Sequence, residues 1–182
     1  MIALAVGEYF FMSRESAKFI ANNAAGAVFA AAGDASTSAP SITSGAVQQP
    51  PNTKLYQSSV YHFSLYYPNN LSVSEHPGAG GTMVVLFQDK ASQQGFEIFI
   101  APYSDSKITQ QRFEEDEPSG VMQSPQNITI AGAAATDFVS SNAAMGASRE
   151  IWFLHGGYLY EVTTPQPLSD WLISIMQTWQ FI

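Results

Sequence analysis

The chain has 182 residues, of which 46% are hydrophobic, 13% aromatic and only 12% charged, against roughly 25% charged in an average soluble protein. Its 15 acids and 7 bases give a formal charge of −8, and residues 54–182 hold 12 acids and 5 bases, a balance of −7; an anionic surface with no basic stripe argues against nucleic acid as a partner. The chain has no cysteine, which excludes disulfides, thiolate metal sites, a cysteine nucleophile and a lipidated cysteine anchor.

The first 32 residues form a hydrophobic or helical segment. Ile2 to Met12 is apolar except for Glu8 and is shorter than the ~20 residues that cross a bilayer. Two readings are open. It is the tail of a membrane anchor, with Tyr9, Phe10 and Phe11 ahead of Arg14 and Lys18 as an interfacial cluster, or an amphipathic or disordered tail. A signal peptide running from Arg14 and Lys18 into Phe19 to Ala32 is weakened by Asn22 and Asn23. Residues 33–53 are rich in Ser, Thr, Pro and Gln, carry Asp34 as their single charge, and read as a linker that cannot bury enough apolar surface to order itself.

Residues 54–182 read as an α+β domain whose centre is a mainly antiparallel sheet. Tyr61 to Pro68 alternates like a strand, and Leu71 to Glu75 offers a second. His76 to Gly81 is a flexible connection. Thr82 to Phe87 and Phe96 to Ala101 are continuously apolar, as in strands covered on both faces. Ile108 to Glu117 favours a short helix that Pro118 ends, and Ile128 to Val139 is a hairpin turning near Gly132. The structural centre is Arg149 to Thr163, two β-prone runs around Gly156-Gly157, a pair suited to a two-residue turn. That turn places Ile151, Phe153 and His155 with Tyr158, Tyr160 and Val162 on one face, and Trp152 and Leu154 with Leu159 and Glu161 on the other. Both faces carry large apolar groups, so each needs a cover. The candidates are a helix capped by Ser169, with Trp171, Leu172, Ile175, Met176 and Trp179 at helical spacing, and the Ile108 to Phe113 segment.

Four segments in order, Tyr61 to Pro68, Ile128 to Gly132, Tyr158 to Val162 and Ile173 to Phe181, give residues 55–182 a pattern that resembles the PsbP-like family. That family's named members are extrinsic subunits of photosystem II, and its fold is shared with a Ran-binding nuclear import factor. The resemblance implies an α/β/α sandwich, with helices on both faces of the sheet, and a non-enzymatic domain that binds or helps assemble proteins. A tryptophan common after the family's Tyr-Pro pair is replaced here by Leu71.

Motifs for chemistry are sparse. Gly78-Ala79-Gly80-Gly81 has Met83 where a dinucleotide fingerprint needs glycine, and no Gly-Lys-Ser/Thr follows. His62, His76 and His155 lack paired ligand spacing. Ser148 lacks the second glycine of a nucleophile elbow. Glu114 to Glu117, near Asp105, reads as a solvated helix end with at most weak attraction for a hard cation. Glu150 and Glu161 share a face with Trp152 and read as strand-edge polar groups, with a carboxylate pair doing acid and base work as the sharper reading. Asn70-Leu71-Ser72 and Asn127-Ile128-Thr129 match glycosylation sequons. The expectation is an extracytoplasmic domain, membrane-tethered or else secreted, without a cofactor or metal, binding an unidentified protein. Glu150, Trp152, His155 and Glu161 are its candidate surface or pocket. The alternative is a small-ligand-binding protein or hydrolase using those residues in a pocket between sheet and helix.

Overall fold

The computed structural model describes residues 48–117, 121–142 and 146–182. The expected N-terminal segment 1–32, most of the linker and Pro118 lie outside them. The large sheet contains seven antiparallel strands, β3 (Ser72–Pro77), β4 (Met83–Asp89), β5 (Gln94–Pro102), β6 (Gln123–Ile130), β7 (Ala133–Asn142), β8 (Gly146–His155) and β9 (Tyr158–Pro165), in the order β3-β4-β5-β9-β8-β7-β6. A second sheet joins β1 (Thr53–Ser58), β2 (Phe63–Pro68) and β10 (Gln180–Phe181) in the order β1-β2-β10. Two α-helices complete the described fold, α1 (Gln110–Asp116) and α2 (Ser169–Met176).

The β8–β9 hairpin sits in the middle of the large sheet, between β7 and β5. Gly156 and Gly157 have φ of 60° and 83°, the doubly left-handed geometry that closes a tight hairpin and that glycine adopts without a steric penalty. The resulting register pairs Ile151 with Val162, Phe153 with Tyr160, Trp152 with Glu161 and Leu154 with Leu159, which divides the side chains between the faces as the alternation predicts. The β6–β7 turn falls on Ala131-Gly132, both left-handed at φ 47° and 87°.

One face of the large sheet is aromatic and dry. Phe87, Phe96, Ile98, Ile151, Phe153 and Tyr160 form its floor, and Phe63 and Leu65 of β2 with Leu172, Ile175 and Met176 of α2 form its roof. Trp179 stacks on Phe63 at 4.3 Å between ring centroids and meets Phe153 edge-on at 5.2 Å. Tyr160 lies under this group and donates its hydroxyl to Tyr61 O at 2.7 Å, so the aromatic cluster also fixes the entry to β2. On the opposite face Phe113 of α1 packs on Phe138 and Trp152, with Ile108 and Met122 at the margin.

Several expectations need correction. The sheet lies between helical layers only in part: the aromatic face is roofed mainly by a second sheet together with α2, and α1 is a seven-residue helix whose packed cluster is local to Phe138 and Trp152. The stripe ending in Trp179 is not one helix. Thr178 and Trp179 donate to the carbonyls three residues back, Ile175 at 2.9 Å and Met176 at 3.1 Å, tightening the last turn. The Thr178 hydroxyl accepts from Tyr66 N at 2.9 Å and donates to Ile175 O at 2.7 Å, tying the chain to β2 where β10 then begins. Ser169 is the first helical residue; its hydroxyl donates to Gln166 O at 2.6 Å and does not cap. β1 starts at Thr53, where the linker was expected to end. No helix among the described residues is long and apolar enough to cross a membrane.

Candidate functional site

The face under α1 is built from the strands' alternate residues and sets acids among its own apolar groups, Phe99, Phe138 and Trp152. Cross-strand pairing sets Glu97 of β5 opposite Thr163 of β9, Thr163 opposite Glu150 of β8, and Glu150 opposite Phe138 of β7. The next row runs Phe99, Glu161, Trp152, Thr136. Glu97, Glu150 and Glu161 are 1%, 0% and 0% exposed, and acids that deep need hydrogen bonds, a countercharge or a retained proton. Glu150 receives three donors: Ser148 Oγ at 2.8 Å, Thr163 Oγ1 at 2.7 Å and the Trp152 indole N–H at 3.3 Å. Ser148 and Trp152 sit two residues either side of Glu150 on the same strand face, and Thr163 is its cross-strand partner, so β geometry alone assembles the cradle.

Helix α1 brings the cation. Thr109 caps it, accepting from Arg112 N at 3.1 Å. Arg112, half-buried, pairs with Asp116 one turn on, lies 4.0 Å from Glu161 Oε1 through Nη2, and stands 5.8 Å above the Tyr103 ring. Tyr103 positions the helix start, donating its hydroxyl to Lys107 O at 3.0 Å and accepting from Thr109 N at 3.4 Å. Its own N–H bonds Gly157 O at 2.8 Å, so the connection carrying α1 is pinned to the β8–β9 turn.

The structure brings Glu150, Trp152 and Glu161 together and separates His155 from them. The strand-edge reading of the two glutamates is overturned: they occupy central strands and are buried, because β8 and β9 have neighbours on both sides. His155 lies on the aromatic face, its ring stacked 3.5 Å from Phe181 and paired across the strand with Tyr158. Burial, with a smaller contribution from His62, lowers its pKa from the ordinary 6.5. A sheet therefore stands between His155 and the two carboxylates, and the three do not form one hydrolytic site.

Sequence reasoning missed Glu97, Arg112 and Thr163. The signal for Glu97 was present: a single acid inside Phe96 to Ala101, a run read as buried on both sides, has to be buried itself. Arg112 was hidden in the acidic helix. Of that acid run, Glu114 and Glu115 are exposed and accept from Gln110 and Gln111 at 3.0 and 2.9 Å, whereas Asp116 and Glu117 are buried. Among the described residues no group of three or more histidine or acid side chains is placed to hold a metal ion. Of Gly78 to Gly81, Ala79–Gly81 is a short 3-10 turn joining β3 to β4, with Gly78 extended before it.

No family model matches the sequence, and no curated protein matches it. Among solved structures, the solution structure of cyanobacterial PsbP (CyanoP) from Synechocystis sp. PCC 6803 matches at a TM-score of 0.54 and 13% identity, over 77% of this chain and 98% of that one. At that identity the likeness concerns architecture, and the architecture of the described chain is PsbP-like.

Proposed function

We propose that the chain is a non-enzymatic binding or assembly domain, held on the outer side of a membrane by its N-terminal segment and linker. The observation that carries the non-enzymatic reading is the environment of Glu150. Its oxygens are engaged by Ser148, Trp152 and Thr163 at full burial, and the nearest candidate base in the sequence reading, His155, lies across the sheet. A general base has to reach a substrate proton, whereas a carboxylate consumed by its own strand neighbours stiffens a scaffold. The likeness to the cyanobacterial PsbP structure supports the same reading at the level of fold. The tether rests on the apolar run Ile2 to Met12 and on the uncharged spacer that follows it.

Two measurements test the two halves. The full chain is expected in the membrane fraction, and deletion of residues 1–32 is expected to release it; recovery unchanged by the deletion defeats the tether. Partners crosslinked to the wild-type chain on those membranes are expected to be crosslinked equally by folded Glu150→Gln. Loss of the crosslinks in that variant would make Glu150 a ligand-contacting group and overturn the scaffold reading.

A further inference from the structure

A strand at the edge of a sheet leaves backbone donors and acceptors open to another strand. Among the described residues the large sheet ends in β3 and β6 and the small sheet in β1 and β10. Three of these are poor templates. β6 contains Pro125, has Ser124 left-handed at φ 49°, and slips register against β7 between Gln123 and Gln126. β3 ends in Pro77, and β10 has two residues. β1 differs: it is six residues long, without proline, acid or left-handed backbone. Leu55 at its middle is 51% exposed on the outer side of the small sheet, opposite Tyr66.

We infer that β1 is an interface for a second copy of this chain, paired antiparallel with Leu55 against Leu55 at a twofold axis. Residues directly opposite in an antiparallel pair share a face, so this register covers both exposed leucines with each other. It also sets Lys54 opposite Tyr56 of the copy on the inner side. Tyr56 donates its hydroxyl to Glu75 Oε1 at 2.7 Å, and Glu75 is an exposed acid on β3. Each Lys54 thus arrives beside the other copy's Glu75, and symmetry makes the pairing twice. This charge match, together with the leucine contact, favours a copy over an unrelated strand. The product is a continuous six-stranded sheet made from two small sheets. An edge this short buries less than a standard interface, so the association is weak and concentration-dependent; it stands whether or not the chain is membrane-tethered.

The absence of cysteine makes a crosslinking test clean. In the purified full chain, solubilised in mild detergent, Leu55→Cys places two Cβ atoms about 5 Å apart, near the spacing of a disulfide. Val60→Cys, 65% exposed in the β1–β2 turn, is the control for random collision. The expected result is covalent dimer from Leu55→Cys and monomer from Val60→Cys. By sedimentation, Lys54→Glu and Glu75→Lys are each expected to weaken self-association about five-fold, and the two together to restore it, with far-UV circular dichroism unchanged. Equal crosslinking of both cysteines, a monomer at every concentration, or a double variant no better than the single ones overturns the inference.

Discussion

The two faces of the large sheet are made by the same strands in alternation, yet they are held by different chemistry. On the aromatic face, Phe63, Phe153, Tyr160 and Trp179 meet as rings, and the attraction is apolar burial with stacked and edge-on geometry. On the α1 face the same strands present Glu97, Glu150 and Glu161 among hydroxyls, with Trp152 as donor and Arg112 as cation. The first face gains from any good filling of volume, whereas the second adds to its Phe113–Phe138–Trp152 packing a dependence on the hydrogen bonds made to Glu150. The difference teaches where tolerance lies: apolar swaps of similar size are absorbed under β2 and α2, and changes of hydrogen-bonding capacity beside Glu150 are not.

The comparison breaks first at Trp179. It is 3% exposed, stacked on Phe63 and wedged against Phe153 and Tyr160, so Trp179→Ala removes a ring from the centre of the roof. The expected loss is about 3 to 5 kcal/mol, read from the urea midpoint; a loss under about 1 kcal/mol would show that the roof collapses freely around the gap.

On the other face the informative pair is Glu150→Leu and Glu150→Gln. Leucine is close in size but strands the Ser148, Thr163 and Trp152 donors, an expected loss of roughly 1 to 3 kcal/mol for buried groups left unmatched. Glutamine keeps one acceptor oxygen and is expected to lose less. If leucine proves neutral or stabilising, the carboxylate is a cost that the face carries, as buried ion pairs sometimes are.

The same contrast explains what the sequence made legible. Alternation with a Gly-Gly turn is a local signal, and it sufficed for the β8–β9 register and for which residues share a face. The placement of Glu150 needed one further fact, that β8 and β9 both have neighbours, and strand order is set by long-range pairing that periodicity does not encode. Trp171, Leu172, Ile175, Met176 and Trp179 all keep helical spacing, so the pattern alone carries the helix through Trp179. What ends the helix is the Thr178 bond to Tyr66, 112 residues away in sequence. Arg112 is hidden for the converse reason: it precedes an acid run that reads as a solvated helix end, and only the sheet beneath supplies Glu161.

The smallest expected effects are in the pH response of the aromatic face, where His155 on the acid side and Tyr160, beside the likewise raised Tyr56 and Tyr61, on the alkaline side favour the neutral form. His155 has its pKa lowered by burial and by His62. Its neutral form is the one the fold prefers, so its contribution is intact above the ordinary value of 6.5 and is lost as pH falls below it, where the unfolded chain takes the proton more readily. Tyr160 is displaced the other way: burial first, then Tyr158 and Tyr61, raise its pKa above the ordinary 10.0. Its contribution is present below that value and is lost as pH rises beyond it, since the folded state resists ionisation that the unfolded chain allows. The face is therefore weakened from both sides, and each limb has its own variant. Urea midpoints measured from about pH 5 to about pH 8 are expected to fall less steeply on the acid side in His155→Phe than in wild type. Followed to above about pH 10, where tyrosines of the unfolded chain ionise, Tyr160→Phe is expected to reduce the slope of an alkaline limb that Tyr56 and Tyr61 share, at a cost of about 1 kcal/mol at neutral pH for the lost bond to Tyr61 O. An acid limb of equal slope in wild type and His155→Phe would assign that limb to carboxylates instead and leave the histidine without a part in it.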